Sequence, residues 1–122
     1  KKLVWNIPYN GLSVVLDATT DELMADPASR QLVEALMGEV VAGAAAFGRT
    51  IEPAFVQKML DDTERMTPYR TSMKIDADEK RPMEVEAMFG NPVRAAASQG
   101  VELRRIDTLY RQLTFLDKRN TT

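Results

Sequence analysis

The chain has 122 residues, 44% hydrophobic and 28% charged, and its 16 cations and 18 anions leave a net charge of −2. This composition suffices for one folded domain, and without a basic excess it does not resemble a nucleic-acid-binding protein. Because cysteine and histidine are both absent, disulfides, structural zinc sites, thiol nucleophiles and imidazole acid–base chemistry are excluded. The lack of cysteine fits a cytoplasmic location, and no apolar run approaches the roughly 18 residues that span a bilayer.

The first segment, Lys2 to Leu16, is mostly apolar and predicts a helix that bends or breaks near Pro8. Within this segment Lys2, Asn6 and Asn10 recur at intervals of four residues. On a helix that spacing places three polar side chains in one row along a mostly apolar element. The row is either an exposed polar stripe or a set of buried groups that need partners.

Two helix starts come next in the chain. Thr19 and Glu22 have the spacing of a capping box, which predicts a short helix through Met24. Asp26 followed by Pro27 predicts the N-cap and the first position of another helix.

The longest apolar pattern predicts the third helix. Its core positions follow the 3.6-residue period and are Leu32, Val33, Leu36, Met37, Val40, Val41, Ala44, Ala45 and Phe47. Gly48 stands where a C-terminal cap is expected. Gly38 and Gly43 interrupt the pattern, each at a cost of about 1 kcal/mol relative to alanine. We expect both glycines to allow the close approach of a neighbouring helix.

Pro53 opens a fourth helix, which ends before Pro68 and has its apolar face at Phe55, Val56, Met59 and Leu60. The stretch from Tyr69 to Gly90 is then densely polar, and its charge content predicts a solvated connection. Helical periodicity resumes inside it at Pro82 and Met83 and ends at Gly90.

Asn91 and Pro92 predict a further N-cap, followed by a helix that runs to Gly100. The last helix has its apolar face at Ile106, Leu109, Leu113 and Leu116. Apart from a possible short extended link at 101–103, nothing has strand character. The predicted fold class is therefore all-α, a compact single domain of six or seven helices over residues 1–122. Because the chain starts within a hydrophobic pattern and without methionine, we expect it to belong to a longer protein.

Several kinds of site can be excluded. No Gly-x-Gly sequence occurs, so neither a dinucleotide-binding fingerprint nor a P-loop is present. Asp76 and Asp78 open a sequence like a calcium loop, but its sixth and twelfth positions are Arg81 and Ala87 instead of glycine and glutamate. No pattern indicates a metal site.

The remaining polar residues suit a small substrate that carries a carboxylate and a carbonyl. Lysine can bind the anion or protonate an oxyanion, amides and hydroxyls can hold oxygen atoms, and a carboxylate can accept from a hydroxyl. The candidate residues are Lys2, Asn6, Asn10, Ser72, Asp76 and Glu84. Sequence spacing alone does not bring the first three and the last three together.

Two motifs carry a resemblance that extends over nearly the whole chain. The first is Lys-x3-Asn-x3-Asn, from Lys2 to Asn10, and the second is Ser-Met-x2-Asp…Glu-x5-Gly, from Ser72 to Gly90. Together they are similar to the C-terminal domain of the ketopantoate reductase (2-dehydropantoate 2-reductase) family. The resemblance implies an all-α domain like the C-terminal domain of 6-phosphogluconate dehydrogenase.

The resemblance also implies a role for each matching residue. Lys2 is expected to be the general acid, which protonates the alkoxide as hydride reaches the keto carbon. Glu84 is expected to bind and position the hydroxyl of the substrate. Asn6, Asn10 and Ser72 are expected to hold substrate oxygens.

Asp76 is expected to orient the loop or a neighbouring side chain. The implied cofactor is NADPH, held mainly by an N-terminal Rossmann domain that is absent from this chain, and the implied assembly is a homodimer. The implied reaction reduces 2-dehydropantoate, a 2-oxoacid, to pantoate in pantothenate biosynthesis. Two alternatives stay open: a reductase for a different 2-oxoacid, and a helical dimerisation or interaction module without catalytic activity.

Overall fold

The chain, seen as a computed structural model, is described at residues 2–68 and 70–121, so Tyr69 at the start of the predicted polar stretch lies outside the described residues. These residues form no strand. They form seven α-helices and one π-helical turn, π1: α1 Lys2–Val15, α2 Thr20–Ala25, α3 Pro27–Ala45, α4 Pro53–Arg65, α5 Ser72–Asp78, π1 Glu86–Gly90, α6 Asn91–Ser98 and α7 Arg104–Thr121. The predicted all-α fold is confirmed. Within the described ranges, no helix is long and apolar enough to cross a membrane.

The helix α1 lies at the centre of the fold and packs against α2, α3, α4, α5, α7 and π1. The predicted break near Pro8 is wrong, because α1 is one helix from Lys2 to Val15 with Pro8 inside it. A proline removes only one N–H donor from the helical ladder, and burial of the surrounding face can offset that loss. Val4, Ile7 and Leu12 are all buried here.

The predicted starts of α2 and α3 are confirmed. The Thr19 N–H donates to Glu22 Oε1 at 2.9 Å, as a capping box requires. Asp26 Oδ1 accepts from the Ala28 N–H at 2.8 Å, and Pro27 is the first residue of α3.

The glycines of α3 do not have the predicted role. A Cβ added to Gly38 would meet nothing within 4 Å, and one added to Gly43 would make only ordinary contact with Leu103 at 3.5 Å. The close approach occurs instead at Gly11 of α1, where an added Cβ would lie 2.5 Å from Leu109 Cδ2 and 3.1 Å from Phe89 Cζ. The glycine that lets α1 pack tightly against α7 and π1 is therefore Gly11.

The predicted solvated connection is partly wrong, because α5 lies within it. Thr71 Oγ1 accepts from the Lys74 N–H at 3.2 Å and caps the helix, and both Thr71 and Met73 are buried. A seven-residue helix is marginal on its own, so its packing against α1 accounts for it. The later residues Glu79 and Lys80 are exposed, as predicted.

The predicted helix end at Gly90 is also wrong. Gly90 has φ −64° and Asn91 has φ −61°, so π1 runs directly into α6. The Asn91 N–H donates to the Glu86 carbonyl, five residues back. Glu86, Arg94 and Tyr110 form an exposed cluster at this turn, the π1 cluster. In it Glu86 accepts from the Tyr110 hydroxyl at 2.6 Å and pairs with Arg94 at 3.0 Å.

Candidate functional site

The predicted polar row of α1 runs from solvent into the core. Lys2 is exposed, Asn6 is half-buried and Asn10 is only 3% exposed. The row is thus neither a wholly exposed stripe nor a wholly buried set. Its open end carries the ammonium group and its closed end carries an amide that needs a partner.

Asn10 finds its partner on α5, in the second motif. Its Oδ1 accepts from the Met73 N–H at 3.2 Å, and the Ser72 Oγ lies 3.5 Å away. The Met73 N–H is one of the first amides of α5, which have no acceptor inside the helix. Asn10 therefore acts as a cap supplied by another helix, and it brings Ser72 to the end of the α1 row.

A second contact between α1 and α5 involves a residue that the sequence did not single out. Lys74 Nζ lies 2.6 Å from Asp17 Oδ1, just beyond α1, and 2.5 Å from Asp78 Oδ1, one turn along α5. Its side chain is 8% exposed. The i, i+4 spacing of Lys74 and Asp78 is a signal for such a pair, but only once α5 is known to be a helix.

The ion pairs of Lys74 stabilise the charged forms of both Lys74 and Asp78. Burial alone would lower the pKa of the Lys74 ammonium, but its hydrogen bonds to Asp17 and Asp78 outweigh that effect and raise the pKa. In return, Lys74 and then Arg70 hold the pKa of the Asp78 carboxyl below its usual range. Asp17 adopts a left-handed conformation, with φ 52°, which aspartate tolerates better than most residues.

Asp76 lies on the part of α5 that faces the exposed connection. Its Oδ1 accepts from Arg81 Nε at 3.1 Å, and the Arg81 N–H donates to the Asp76 carbonyl at 2.8 Å. Both groups of Asp76 thus bind the same residue and close the turn that follows α5.

Glu84 is exposed, whereas Met83 and Val85 on either side of it are buried. Among the described residues, no ion pair or hydrogen bond engages the Glu84 carboxylate. The main chain just before Glu84 is hydrogen-bonded nevertheless, because the Met83 N–H donates to Asp117 Oδ1 of α7 at 2.9 Å. The carboxylate is therefore available to a ligand on a fixed backbone.

The structure thus joins Asn10 and Ser72, which are 62 residues apart in the chain. In the described part of the chain, no hydrogen bond or ion pair links Lys2 or Glu84 to that pair. Two surface hollows, of about 280 and 460 Å³, lie elsewhere: the first is beside Lys74 and Asn120, and the second is beside Phe115. The convergence of all the candidate residues on one cleft stays a prediction.

The described residues contain no group of three or more acidic side chains placed to hold a metal ion. The polar groups that the fold brings together are amides and hydroxyls, with an ammonium at one end and a carboxylate on a neighbouring segment. Fold and site together define an all-α domain with groups suited to the oxygen atoms of a small polar molecule.

Comparisons with known proteins name the family. Residues 1–117 match the family described as the C-terminal domain of ketopantoate reductase PanE/ApbA. The chain is 66% identical over 122 residues to a 2-dehydropantoate 2-reductase of Nostoc sp. (strain PCC 7120 / SAG 25.82 / UTEX 2576), and the match covers 100% of this chain and 38% of the relative. The chain belongs to the ketopantoate reductase family and corresponds to its helical C-terminal domain.

Solved structures agree with this assignment. The 2-dehydropantoate 2-reductase of Methylococcus capsulatus superposes with a TM-score of 0.91 at 34% identity, over 99% of this chain and 39% of that one. The ketopantoate reductase of Staphylococcus aureus, described as dimeric, superposes with a TM-score of 0.89 at 25% identity, over 98% of this chain and 42% of that one. This chain therefore spans less than half the length of each of these three relatives.

Proposed function

We propose that this chain is the substrate-side half of an NADPH-dependent reductase that converts 2-dehydropantoate to pantoate. The observation that carries the proposal is the junction of α1 and α5. Asn10 of the first motif binds the Met73 N–H and lies beside Ser72 of the second motif. The end of the first motif and the start of the second, which are far apart in the sequence, are thus adjacent in space. The 66% identity to a 2-dehydropantoate 2-reductase supports the same substrate.

In the proposed reaction, Lys2 is the general acid. Hydride adds to the keto carbon of the substrate, the carbonyl electron pair moves to oxygen, and Lys2 donates a proton to that oxygen. The product is a 2-hydroxy acid, and the lysine is left neutral until solvent reprotonates it. Lys2 is suited to this exchange because it lies at the solvent-exposed end of the α1 row.

The other candidates bind and orient the substrate. Asn6 is half-buried next along the row and can hold a substrate oxygen, and Ser72 can do the same beside Asn10. The exposed Glu84 carboxylate can accept a hydrogen bond from the substrate's hydroxyl. Asp76 orients the turn through Arg81, and we assign it no direct contact with the substrate.

Bound NADPH would supply the hydride. This chain has no glycine-rich turn of the kind that holds a dinucleotide, and the donors of its α1 row fit carbonyl and carboxylate oxygens. We therefore assign the cofactor mainly to an N-terminal Rossmann domain and the substrate to this one. We also propose a cytoplasmic homodimer, since one relative of this family is described as dimeric.

The test is a reductase assay on the protein with its N-terminal domain, using NADPH, NADH and a panel of 2-oxoacids. We expect 2-dehydropantoate to give the highest kcat/KM with NADPH. Replacing Lys2 with alanine should lower kcat/KM by about 10²- to 10⁴-fold, the usual contribution of a general acid. Lys58→Ala is the matched control, because Lys58 is an exposed lysine that pairs with Asp62 on α4.

The alternatives give different results in the same assay. A higher kcat/KM with another 2-oxoacid would assign a different substrate to the same site. An unchanged kcat/KM in Lys2→Ala would remove the general-acid role. Absence of reduction for every 2-oxoacid would favour a helical interaction module without catalytic activity.

A further inference from the structure

Besides the buried side chains of Met83 and Val85, the segment that carries Glu84 is joined to α7 by a hydrogen bond to one aspartate. The Met83 N–H donates to Asp117 Oδ1 at 2.9 Å, across 34 residues of sequence. Both Asp117 and this contact are partly buried. A main-chain N–H that loses its acceptor in such a place is left without a partner, and this is unfavourable.

The side chains around Glu84 fix its direction but not its exact position. Met83 is 7% and Val85 is 5% exposed, so the intervening Glu84 faces solvent. The four residues before Met83, numbers 79–82, are all exposed. Two main-chain hydrogen bonds here are local, from the Val85 N–H to the Met83 carbonyl at 2.9 Å and from the Met88 N–H to the Glu84 carbonyl at 3.2 Å. The Asp117 hydrogen bond is the one that ties the backbone immediately before Glu84 to another helix.

The same face of α7 also contacts the end of α5. Asn120, three residues after Asp117, places its Nδ2 3.5 Å from the Ala77 carbonyl. One helix thus contacts the end of the element that carries Ser72 and the start of the segment that carries Glu84. The relative placement of these two candidate residues depends on α7.

We propose that Asp117 is a positioning residue, which sets the Glu84 carboxylate at the place where it binds the hydroxyl of the substrate. This inference rests on the proposed function, because it assigns Glu84 to substrate binding. Asp117 itself contacts the Met83 main chain and acts only through Glu84.

The experiment measures kcat and KM for 2-dehydropantoate in the protein with its N-terminal domain. The variants are Asp117→Ala, Asp117→Asn, Glu84→Gln and the double variant of Asp117→Ala with Glu84→Gln. Asp117→Asn keeps an oxygen that can accept from the Met83 N–H, so its KM should stay within about twofold of wild type. Asp117→Ala should raise KM by about fivefold to tenfold with little change in kcat, as expected when ground-state and transition-state binding weaken together.

The double variant separates positioning from a purely structural effect. If Asp117 acts through Glu84, Asp117→Ala should change KM by less than about twofold once Glu84→Gln is present. Asp107→Ala is the matched control, since Asp107 is also on α7 and its carboxylate pairs with the exposed Arg111. Its KM should equal that of wild type.

Two further measurements cover variants that fold poorly. Asp117→Glu keeps the charge but moves the acceptor by one methylene. It should therefore raise KM when Glu84 is present and leave KM unchanged when it is combined with Glu84→Gln. Hydrogen exchange of the Met83 amide should be slow in wild type and Asp117→Asn and faster in Asp117→Ala.

The outcomes are distinct. An equal rise in KM with and without Glu84→Gln, or an unchanged Met83 exchange rate in Asp117→Ala, would overturn the inference while leaving the proposed function intact. A wild-type protein that reduces no 2-oxoacid would overturn the proposed function, and with it this inference.

Discussion

Two polar regions of this domain use similar groups in opposite surroundings. At the α1–α5 junction, the 3% exposed Asn10 accepts from a main-chain N–H, and an 8% exposed Lys74 side chain pairs with Asp17 and Asp78. At the π1 cluster, Glu86 and Arg94 pair while 59% and 56% exposed. Both regions contain an asparagine acceptor and a carboxylate with a lowered pKa. A closely packed glycine adjoins each asparagine in the chain: Gly11, which packs against α7 and π1, follows Asn10, and Gly90 precedes Asn91.

The two regions differ in how much stability is lost when a hydrogen-bond or ion-pair partner is removed. A buried donor without its acceptor has no water to replace it, whereas exposed ion pairs exchange with solvent and contribute little. The α1–α5 junction should therefore hold the motif residues in place, while the π1 cluster should tolerate substitution. Three matched pairs of substitutions test this contrast, given from the largest expected effect to the smallest.

Asn10→Ala should lower the free energy of unfolding by about 1–3 kcal/mol, because the buried Met73 N–H then has no acceptor. Its matched control is Asn91→Ala, since Asn91 Oδ1 accepts from Arg94 Nη2 at an exposed site, at 2.7 Å. That change should stay within about 0.5 kcal/mol of wild type. Equal losses in urea unfolding of the two variants would refute the contrast.

Gly11→Ala should lower the free energy of unfolding by up to about 2 kcal/mol. The new Cβ would lie 3.0 Å from Leu109 Cγ and 3.1 Å from Phe89 Cζ, both of them fully or nearly buried. The cost of overpacking, about 1–3 kcal/mol, exceeds the gain of about 1 kcal/mol in helix propensity.

Gly90→Ala is the matched change at the π1 cluster. Its Cβ would lie 2.6 Å from Glu86 Oε1 and 3.0 Å from both Arg94 Nη1 and Tyr110 Cε1. The first two atoms are the ends of flexible and exposed side chains. These ends can move, so thermal unfolding should show a smaller loss than in Gly11→Ala. A larger loss in Gly90→Ala would mean that the π1 cluster is the more rigid of the two regions.

The acid sensitivity of the α1–α5 junction should depend on Asp78. Its pKa is lower in the folded protein because Lys74 and Arg70 bind its carboxylate. A group with a lowered folded pKa stabilises the protein above its unfolded pKa of about 4, and this stabilisation is lost as the pH falls through the folded pKa. Asp78→Asn should therefore be less stable than wild type at pH 6, and the difference should shrink as the pH drops below about 4.

Glu86→Gln should show the smallest effect. The Tyr110 hydroxyl and then Arg94 lower the pKa of Glu86, so the sign of its pH dependence is the same as for Asp78. Because Glu86 is exposed, solvent screens its interactions. Urea unfolding at pH 6 should not separate Glu86→Gln from wild type, and a drop larger than in Asp78→Asn would contradict this ranking.

Much of the fold could be predicted because local chemistry determined it. The starts of α2 and α3 follow from Thr19, Glu22, Asp26 and Pro27, whose side chains and ring geometry act within one turn. The apolar faces of α3 and α7 follow from residue periodicity. These features depend on residues only three or four positions apart.

The errors share one physical cause. Pro8 was expected to bend or break α1, Gly90 to end a helix, and the polar stretch to be a connection. In the structure α1 does not break, Gly90 continues into α6 and a helix forms in the polar stretch, because packing outweighs these local preferences. In every case the local preference amounts to a few kcal/mol or less, and burial of neighbouring apolar side chains exceeds it. The roles of Gly38 and Gly43 were wrong for the same reason, since no periodicity shows which helix face meets a close neighbour.

By itself, the sequence determined the helical class, most helix boundaries and the chemical types of the candidate site. The row of Lys2, Asn6 and Asn10 followed from a period of four, because a helix fixes the direction of each side chain. Only the tertiary structure decided that Asn10 caps α5, that Lys74 is buried, and that Asp117 holds the segment before Glu84. Those contacts join residues 34 to 63 positions apart, and such distances are set by how the helices pack.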